Sequence, residues 1–169
     1  KDIVMANVKV IERLYEKKQS VTGVPTGFVE LDKMTSGLQN SDLIVVAGRP
    51  SMGKTALSMN IAQHVATLRD GPIPVGIFSM EMSKEQLVTR LLSSESEVDH
   101  SKLRTGTLTS EEWPRLAQAA GKLSEALIFI DDSPSMSVLE LRARARRLKK
   151  EHGLGLIVVD YLQLMKGRT

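Results

Sequence analysis

The chain has no cysteine, so a disulfide framework and a cysteine zinc site are both excluded. No apolar run approaches the ~20 residues of a membrane span, and no signal-peptide pattern opens the chain. A cytoplasmic protein with no membrane partner is therefore expected. A large excess of one sign of charge is also missing: 23 Lys and Arg against 20 Asp and Glu leave a net charge of +3, which permits nucleic-acid binding without requiring it. The three histidines, His64, His100 and His152, share no metal-ligand spacing and read as surface or packing residues. There is no internal repeat and no low-complexity stretch. Apolar content of 41% and charged content of 25% are those of an ordinary globular domain. A chain of this length buries about 70% of its unfolded surface on folding.

What is present is a phosphate-binding pattern. Residues 48 to 55 read Gly48-Arg49-Pro50-Ser51-Met52-Gly53-Lys54-Thr55, a complete GxxxxGK[ST] loop, followed by Ala56. The apolar run Leu43 to Ala47 before it predicts a buried strand, and Thr55 to Leu68 after it predicts a helix. A triphosphate needs many donors in a small concave space. Glycines at 48 and 53 let backbone N–H groups curl around phosphates, and the helix N-terminus adds positive potential there. In this pattern Lys54 reaches the β- and γ-phosphates of ATP, and the Thr55 hydroxyl ligates Mg²⁺.

Ile3 to Lys18 predicts a first helix with an apolar stripe (Val4, Val8, Ile11, Leu14, Tyr15) and a charged side (Lys9, Glu12, Lys17, Lys18). Val21 to Gly27 reads as a flexible loop rich in turn formers, which makes that helix an outrigger. A short helix from Phe28 is expected to end before Gly37. Strand and helix patterns then alternate. The later strands are expected at Val75–Ser79, Leu127–Ile130 and Leu156–Val159, each apolar on both faces. Ser83/Gln86, Thr109/Glu112 and Ser137/Glu140 fit capping boxes, and Gly153 closes the last helix. The fold class is α/β, a mainly parallel sheet covered by helices on both faces.

Hydrolysis needs more than a loop. Leu156 to Val159 ends in Asp160, four apolar residues and then a carboxylate at a strand end, the Walker B arrangement for orienting Mg²⁺. The next residue is Tyr161 rather than Glu, so a water-polarising carboxylate must come from elsewhere. Glu81 follows the strand Val75–Ser79 at the ligand-binding edge of such a sheet. On spacing alone, Glu81 reads equally well as an acid favouring a helix N-terminus. The helix Leu139 to His152 carries Arg142, Arg144, Arg146, Arg147, Lys149 and Lys150. Its charge wraps around the helix without interleaved aromatics, which favours a solvated face over a DNA-tracking stripe. Asp131-Asp132 before Ser133-Pro134 reads as a strand-end turn.

Several segments together resemble the ATPase domain of bacterial replicative helicases of the DnaB family. These are Thr22 to Phe28 with Glu30-Leu31-Asp32, AGRPSMGKTAL (47 to 57), SMEMSKEQLVTRLLSSES (79 to 96), LRTGTL (103 to 108) and ELRARARRLKKEHGLGLIVVDYLQLM (140 to 165). The resemblance runs from about Val21 to Met165. It implies a RecA-like motor domain of a homo-hexameric ring that couples ATP hydrolysis to movement along single-stranded DNA, with Glu81 and Lys54 as catalytic residues. Primase and a helicase loader are the partners it implies for the full-length protein. Residues 1–20 are then a linker helix that docks on a neighbouring subunit, and 21–169 the N-terminal part of the ATPase domain. One departure is Asn40-Ser41 before Asp42, where the family commonly has a glycine. Family members also continue past Walker B with a DNA-contacting loop, a sensor strand and an arginine finger. The expectation is thus a fragment with little activity alone. The rivals are another RecA-like ATPase (a recombinase or a clock-type hexamer), a nucleotide-dependent interaction module, and a small P-loop kinase.

Overall fold

A computed structural model describes residues 4, 5, 8, 9, 11, 12, 21–69 and 71–166. The chain forms two compact units, 1–45 and 46–169.

In the first unit, the described residues of the first helix (Val4, Met5, Val8, Lys9, Ile11, Glu12) are helical and exposed. Leu14, Tyr15, Lys17 and Lys18 lie outside the described residues. The loop expected to be a flexible tether is instead pinned. Val24 and Leu38 exchange backbone hydrogen bonds of 2.8 Å each, and the Thr22 and Gly23 N–H groups donate to the Ser36 carbonyl. A Cβ on Gly23 would stand 2.4 Å from the Leu38 oxygen, so this close approach requires glycine. Helix α1 (Val29–Thr35) follows. Its buried Asp32 accepts hydrogen bonds from the Thr26 N–H and hydroxyl, both at 2.8 Å, and from the Gly27 N–H at 3.2 Å. The Thr-Gly-Phe and Glu-Leu-Asp segments are therefore one structural knot. The chain leaves α1 through Ser36 and Gly37, both left-handed. Ser41 is also left-handed, at φ 72°, which is why glycine suits this turn.

The second unit is built on a three-stranded parallel sheet. Helix α2 (Lys54–Ala66) leads to β1 (Val75–Ser79). Helices α3 (Lys84–Ser96), α4 (His100–Thr105) and α5 (Glu112–Glu125) lead to β2 (Ile128–Asp131). Helix α6 (Val138–His152) leads to β3 (Leu156–Asp160). The strand order is β2-β1-β3. Phe78 lies opposite Asp131, and Ser79 opposite Asp160. Period-two alternation divides β1 between two layers. Phe78 and Met80 join Met136, Ala145 and Leu154 in a core with α6, where Gly76 leaves room for Leu148 and Leu154. Helix α2 packs on the sheet as well and buries Met59, Ala62, Val65 and Ala66, and α3 packs against both α2 and α5.

Four local expectations need correction. Residues 43–47 form no strand, and Leu43 is 85% exposed. Apolar patterning reports a preference for burial but not a ladder partner, and among the described strands β1 pairs only with β2 and β3. Full cover on both faces holds for β1 alone: β2 is half-buried, and Ile157 of β3 is 43% exposed. The Thr109/Glu112 box is half formed. The Glu112 carboxylate accepts from the Thr109 N–H at 2.8 Å, but the helix begins at Glu112, whose side chain also holds Lys102 of α4 at 2.7 Å. Short α4, capped by Asp99, has no counterpart among the expected elements. The Ser83/Gln86 and Ser137/Glu140 boxes form completely, and Gly153 caps α6 in the left-handed region.

Candidate functional site

The loop at 48–55 and the C-terminal end of β3 meet through one side-chain pair. Thr55, in the first turn of α2, donates its hydroxyl proton to Asp160 Oδ2 at 2.8 Å. Asp160 is 7% exposed, so its carboxylate meets water at little more than this one edge. A hydroxyl oxygen beside a carboxylate is a hard, oxygen-only donor pair. It suits Mg²⁺, which keeps waters and takes only one or two protein ligands. Among the described residues no group of three or more His, Cys, Asp or Glu side chains could hold a metal ion, so a larger protein cage is not on offer.

Lys54 turns into its own loop. Its ammonium donates to the carbonyls of Gly48 at 2.9 Å and Arg49 at 3.2 Å. With three protons and two carbonyl partners, the ammonium keeps one donor free at the loop mouth. Arg49, Pro50, Ser51, Met52, Gly53 and Ala56 are exposed, so the loop is open to a ligand. The two loop glycines differ. Gly53 is left-handed at φ 84°, with nothing within 4 Å of an added Cβ. Gly48 is not left-handed, and its Cβ would make ordinary contacts of 3.6–3.7 Å with Lys54 and Met52. The left-handed turn inside the loop falls instead on Ser51, at φ 64°. That backbone costs a non-glycine residue of order 1–2 kcal/mol and is found preferentially at ligand clamps.

Glu81 stands beyond the end of β1, exposed and free of hydrogen bonds or ion pairs to the described residues. Its place is set by the backbone. The Met80 N–H donates to the Asp160 carbonyl at 2.8 Å, so β1 and β3 stay joined one residue before Glu81. The β1/β3 edge is where the chain order reverses around β1, the ligand-binding crevice of open parallel sheets. The structure therefore brings Thr55, Asp160 and the Lys54 loop together and puts the Glu81 turn beside them. It draws no direct contact from Glu81 to Lys54 or Asp160.

Residues outside the motifs shape this edge. The Ser79 hydroxyl donates to the Met82 carbonyl and accepts from the Met82 N–H. Asp132 accepts from the Lys84 N–H at 3.0 Å. Serine at a strand end is a turn former, so the first signal was readable. The second joins residues 48 apart and had no signal beyond an acidic pair. Asp131, its neighbour, pairs with Arg144. Burial pushes the Asp131 carboxyl up, but Arg144 and Ser133 outweigh it and hold it below the usual range. Arg147 pairs with Glu151, and Lys149 donates to the Leu154 carbonyl. This is a solvated helix with local partners. His152 stacks on Phe129 with ring centroids 4.5 Å apart, a packing role.

Comparison with known proteins places this geometry. The chain is 53% identical over 167 residues to the replicative DNA helicase DnaC of Bacillus subtilis, covering 99% of this chain and 36% of that protein. It is 55% identical over 167 residues to the replicative DNA helicase DnaB of Geobacillus stearothermophilus, again covering 99% of this chain and 36% of that protein. The chain thus spans about a third of the length of these curated relatives. Among solved structures, a DnaB-like replicative helicase, solved in a study of its interactions with primase, matches with a TM-score of 0.86 at 33% identity, over 98% of this chain and 40% of that one. A second solved structure, an ATPase domain, matches with a TM-score of 0.89 at 33% identity, over 99% of this chain and 59% of that one. The fold is that of these RecA-like ATPase domains. The family model for the DnaB-like helicase C-terminal domain spans residues 23–169, the loop, the Glu81 turn and Asp160 included, and the chain belongs to that family.

Proposed function

We propose that the chain is the nucleotide-binding part of the motor of a replicative DNA helicase, which hydrolyses ATP to translocate on single-stranded DNA and unwind duplex as a hexameric ring. The observation that carries this reading is the 2.8 Å bond between Thr55 and Asp160, which joins the phosphate loop to the carboxylate strand. Residues 48–56 bind the phosphates through backbone N–H groups and the N-terminus of α2. Lys54 leaves its loop carbonyls and neutralises phosphate charge. Thr55 and Asp160 would hold Mg²⁺, which would supply polarisation of the phosphoryl oxygens. Glu81 orients the attacking water and takes its proton.

The family relatives support a DNA substrate, and the primase study of a structural neighbour supports primase as a partner; a helicase loader belongs to the same reading. A cytoplasmic location belongs to the same reading; among the described residues no helix is long and apolar enough to cross a membrane. Residues 1–20 serve as the linker that docks on a neighbouring subunit, and the exposure of Val4, Val8 and Ile11, helical among the described residues, supports this. The remaining 21–169 form the N-terminal part of the ATPase domain. This chain alone is expected to hydrolyse ATP very slowly.

The test is ATP turnover by the full-length protein, with and without single-stranded DNA, for the unmodified sequence and for Lys54→Ala. Turnover stimulated by DNA and abolished by the substitution is expected. Near-normal hydrolysis by Lys54→Ala would sink the assignment of the loop. Binding without turnover in the unmodified protein would favour a nucleotide-dependent interaction module.

A further inference from the structure

Glu81 is exposed and makes no side-chain bond to the described residues, yet a residue that orients water must be placed to a fraction of an ångström. Its precision must come from the backbone that carries it. That backbone is a short turn between Ser79, the last residue of β1, and Lys84, the first of α3. Both ends of the turn are tied.

At the β1 end, Ser79 is 1% exposed. Its hydroxyl donates to the Met82 carbonyl at 2.8 Å and accepts from the Met82 N–H at 3.1 Å. One side chain thus closes the loop Ser79–Met82 from inside, with Glu81 on the closed segment. A buried serine with both its donor and an acceptor position used has little freedom to shift. At the α3 end, the first N–H groups of the helix have no intrahelical partner. Ser83 caps the Gln86 N–H, and the half-buried Asp132 carboxylate accepts from the Lys84 N–H at 3.0 Å. Asp132 follows directly on the Phe78–Asp131 pair that ends the β1/β2 ladder, while on the other side of β1 Asp160 lies opposite Ser79. The Glu81 turn is bracketed by carboxylates at the ends of the two strands that flank β1. One belongs to the candidate metal site; the other anchors the helix that follows Glu81.

We propose that Ser79 and Asp132 are positioning residues for Glu81: Ser79 sets the shape of its turn and Asp132 fixes the entry of α3, so together they hold the Glu81 carboxylate relative to Thr55 and Asp160. The inference rests on the reading of Glu81 as the water-orienting carboxylate. Their hydroxyl and carboxylate are taken up by the Met82 and Lys84 backbone, so the proposed role acts through Glu81 and not through nucleotide binding.

The test measures ATP turnover and binding of a fluorescent ATP analogue with Mg²⁺, on the full-length protein, for Ser79→Ala, Asp132→Ala, Glu81→Gln and the double variant Ser79→Ala/Glu81→Gln. Ser79→Ala and Asp132→Ala should each lower kcat about tenfold while the analogue's Kd stays within about twofold. Ser79→Thr, which restores the hydroxyl, should recover most of kcat. Adding Ser79→Ala to Glu81→Gln should cost almost nothing further, because the two act through one group. Should Ser79→Ala fail to fold, Asp132→Ala carries the test, since its side chain is only half-buried. If Glu81→Gln is inactive while Ser79→Ala and Asp132→Ala keep kcat within twofold, the positioning role is wrong and the reading of Glu81 stands. If Glu81→Gln hydrolyses ATP at the unmodified rate, the reading beneath the inference falls, and the inference with it.

Discussion

Thr55→Val replaces a hydroxyl by a methyl of nearly the same shape and so removes one interaction with little else. Asp160 is 7% exposed and accepts the Thr55 proton at 2.8 Å. A hydrogen bond to a charged acceptor contributes about 1.5–3 kcal/mol, and a buried acceptor left without its donor costs a similar amount. Thr55 is only half-buried, so water partly replaces the lost donor. The loss should fall near the lower end, about 2 kcal/mol. For a chain of this size that lowers Tm by roughly 4–8 °C in the absence of nucleotide. Thr55→Ser keeps the hydroxyl and should stay within about 2 °C, since it loses only one half-buried methyl group. Activity should separate the same two variants more widely. If Thr55 holds Mg²⁺ as proposed, removing the hydroxyl should lower turnover by about a hundredfold or more, whereas Thr55→Ser should remain active. The assays are thermal melting without nucleotide, then turnover against Mg²⁺ concentration in the full-length protein. A Thr55→Val protein that melts with the parent and keeps its Mg²⁺ dependence would show that this bond neither braces the fold nor marks a metal site.

Three further outcomes follow from single features. Gly53→Ala forces a left-handed alanine and should weaken ATP binding about fivefold to thirtyfold, the equivalent of about 1–2 kcal/mol, whereas Gly48→Ala should bind within about twofold of the parent because its backbone is unstrained; equal losses in a nucleotide titration would contradict the distinction. Asp32→Ala strips the knot of its acceptor for Thr26 and Gly27 and should cost about 3 kcal/mol in urea unfolding, with a loss under about 1 kcal/mol showing that the knot is dispensable. The hydrogen bond from Lys102, helped by the Thr109 N–H, lowers the Glu112 carboxyl from 4.5 to about 2. Its contribution to stability is therefore full above pH 4.5 and lost as the pH falls through about 2, so Glu112→Gln should be less stable than the parent at neutral pH and converge with it on acidification; a stability gap that stays constant between those limits would refute the pairing.

What the sequence made legible, and what it did not, divides by the range of the interaction. Capping is local, with both partners three residues apart. The Ser83/Gln86 and Ser137/Glu140 boxes could therefore be read directly, and both form. Thr109/Glu112 has the same spacing, but Glu112 is also claimed by Lys102, and the helix starts at the residue expected to close the box. Strand positions were readable from apolar runs because a central strand is buried on both faces, as β1 is. The same signal misled at Leu43 to Ala47, where the run is equally apolar but has no ladder partner. Burial preference is a property of side chains, while pairing is a property of neighbours that one segment does not encode. The candidate site shows the same division. Thr55 and Asp160 are 105 residues apart, and only the motif, a recurring solution to holding a phosphate and a metal, made their meeting foreseeable. Asp132 and Lys84 meet across 48 residues with no such motif, so the second residue of an acidic pair looked like turn chemistry until the fold set its carboxylate against the Lys84 N–H. Motifs name the groups that touch a ligand, because ligand chemistry repeats from fold to fold. The groups that hold those residues in place answer only to the local course of this backbone. For Glu81 that means a serine hydroxyl beneath the turn and a carboxylate from the next strand.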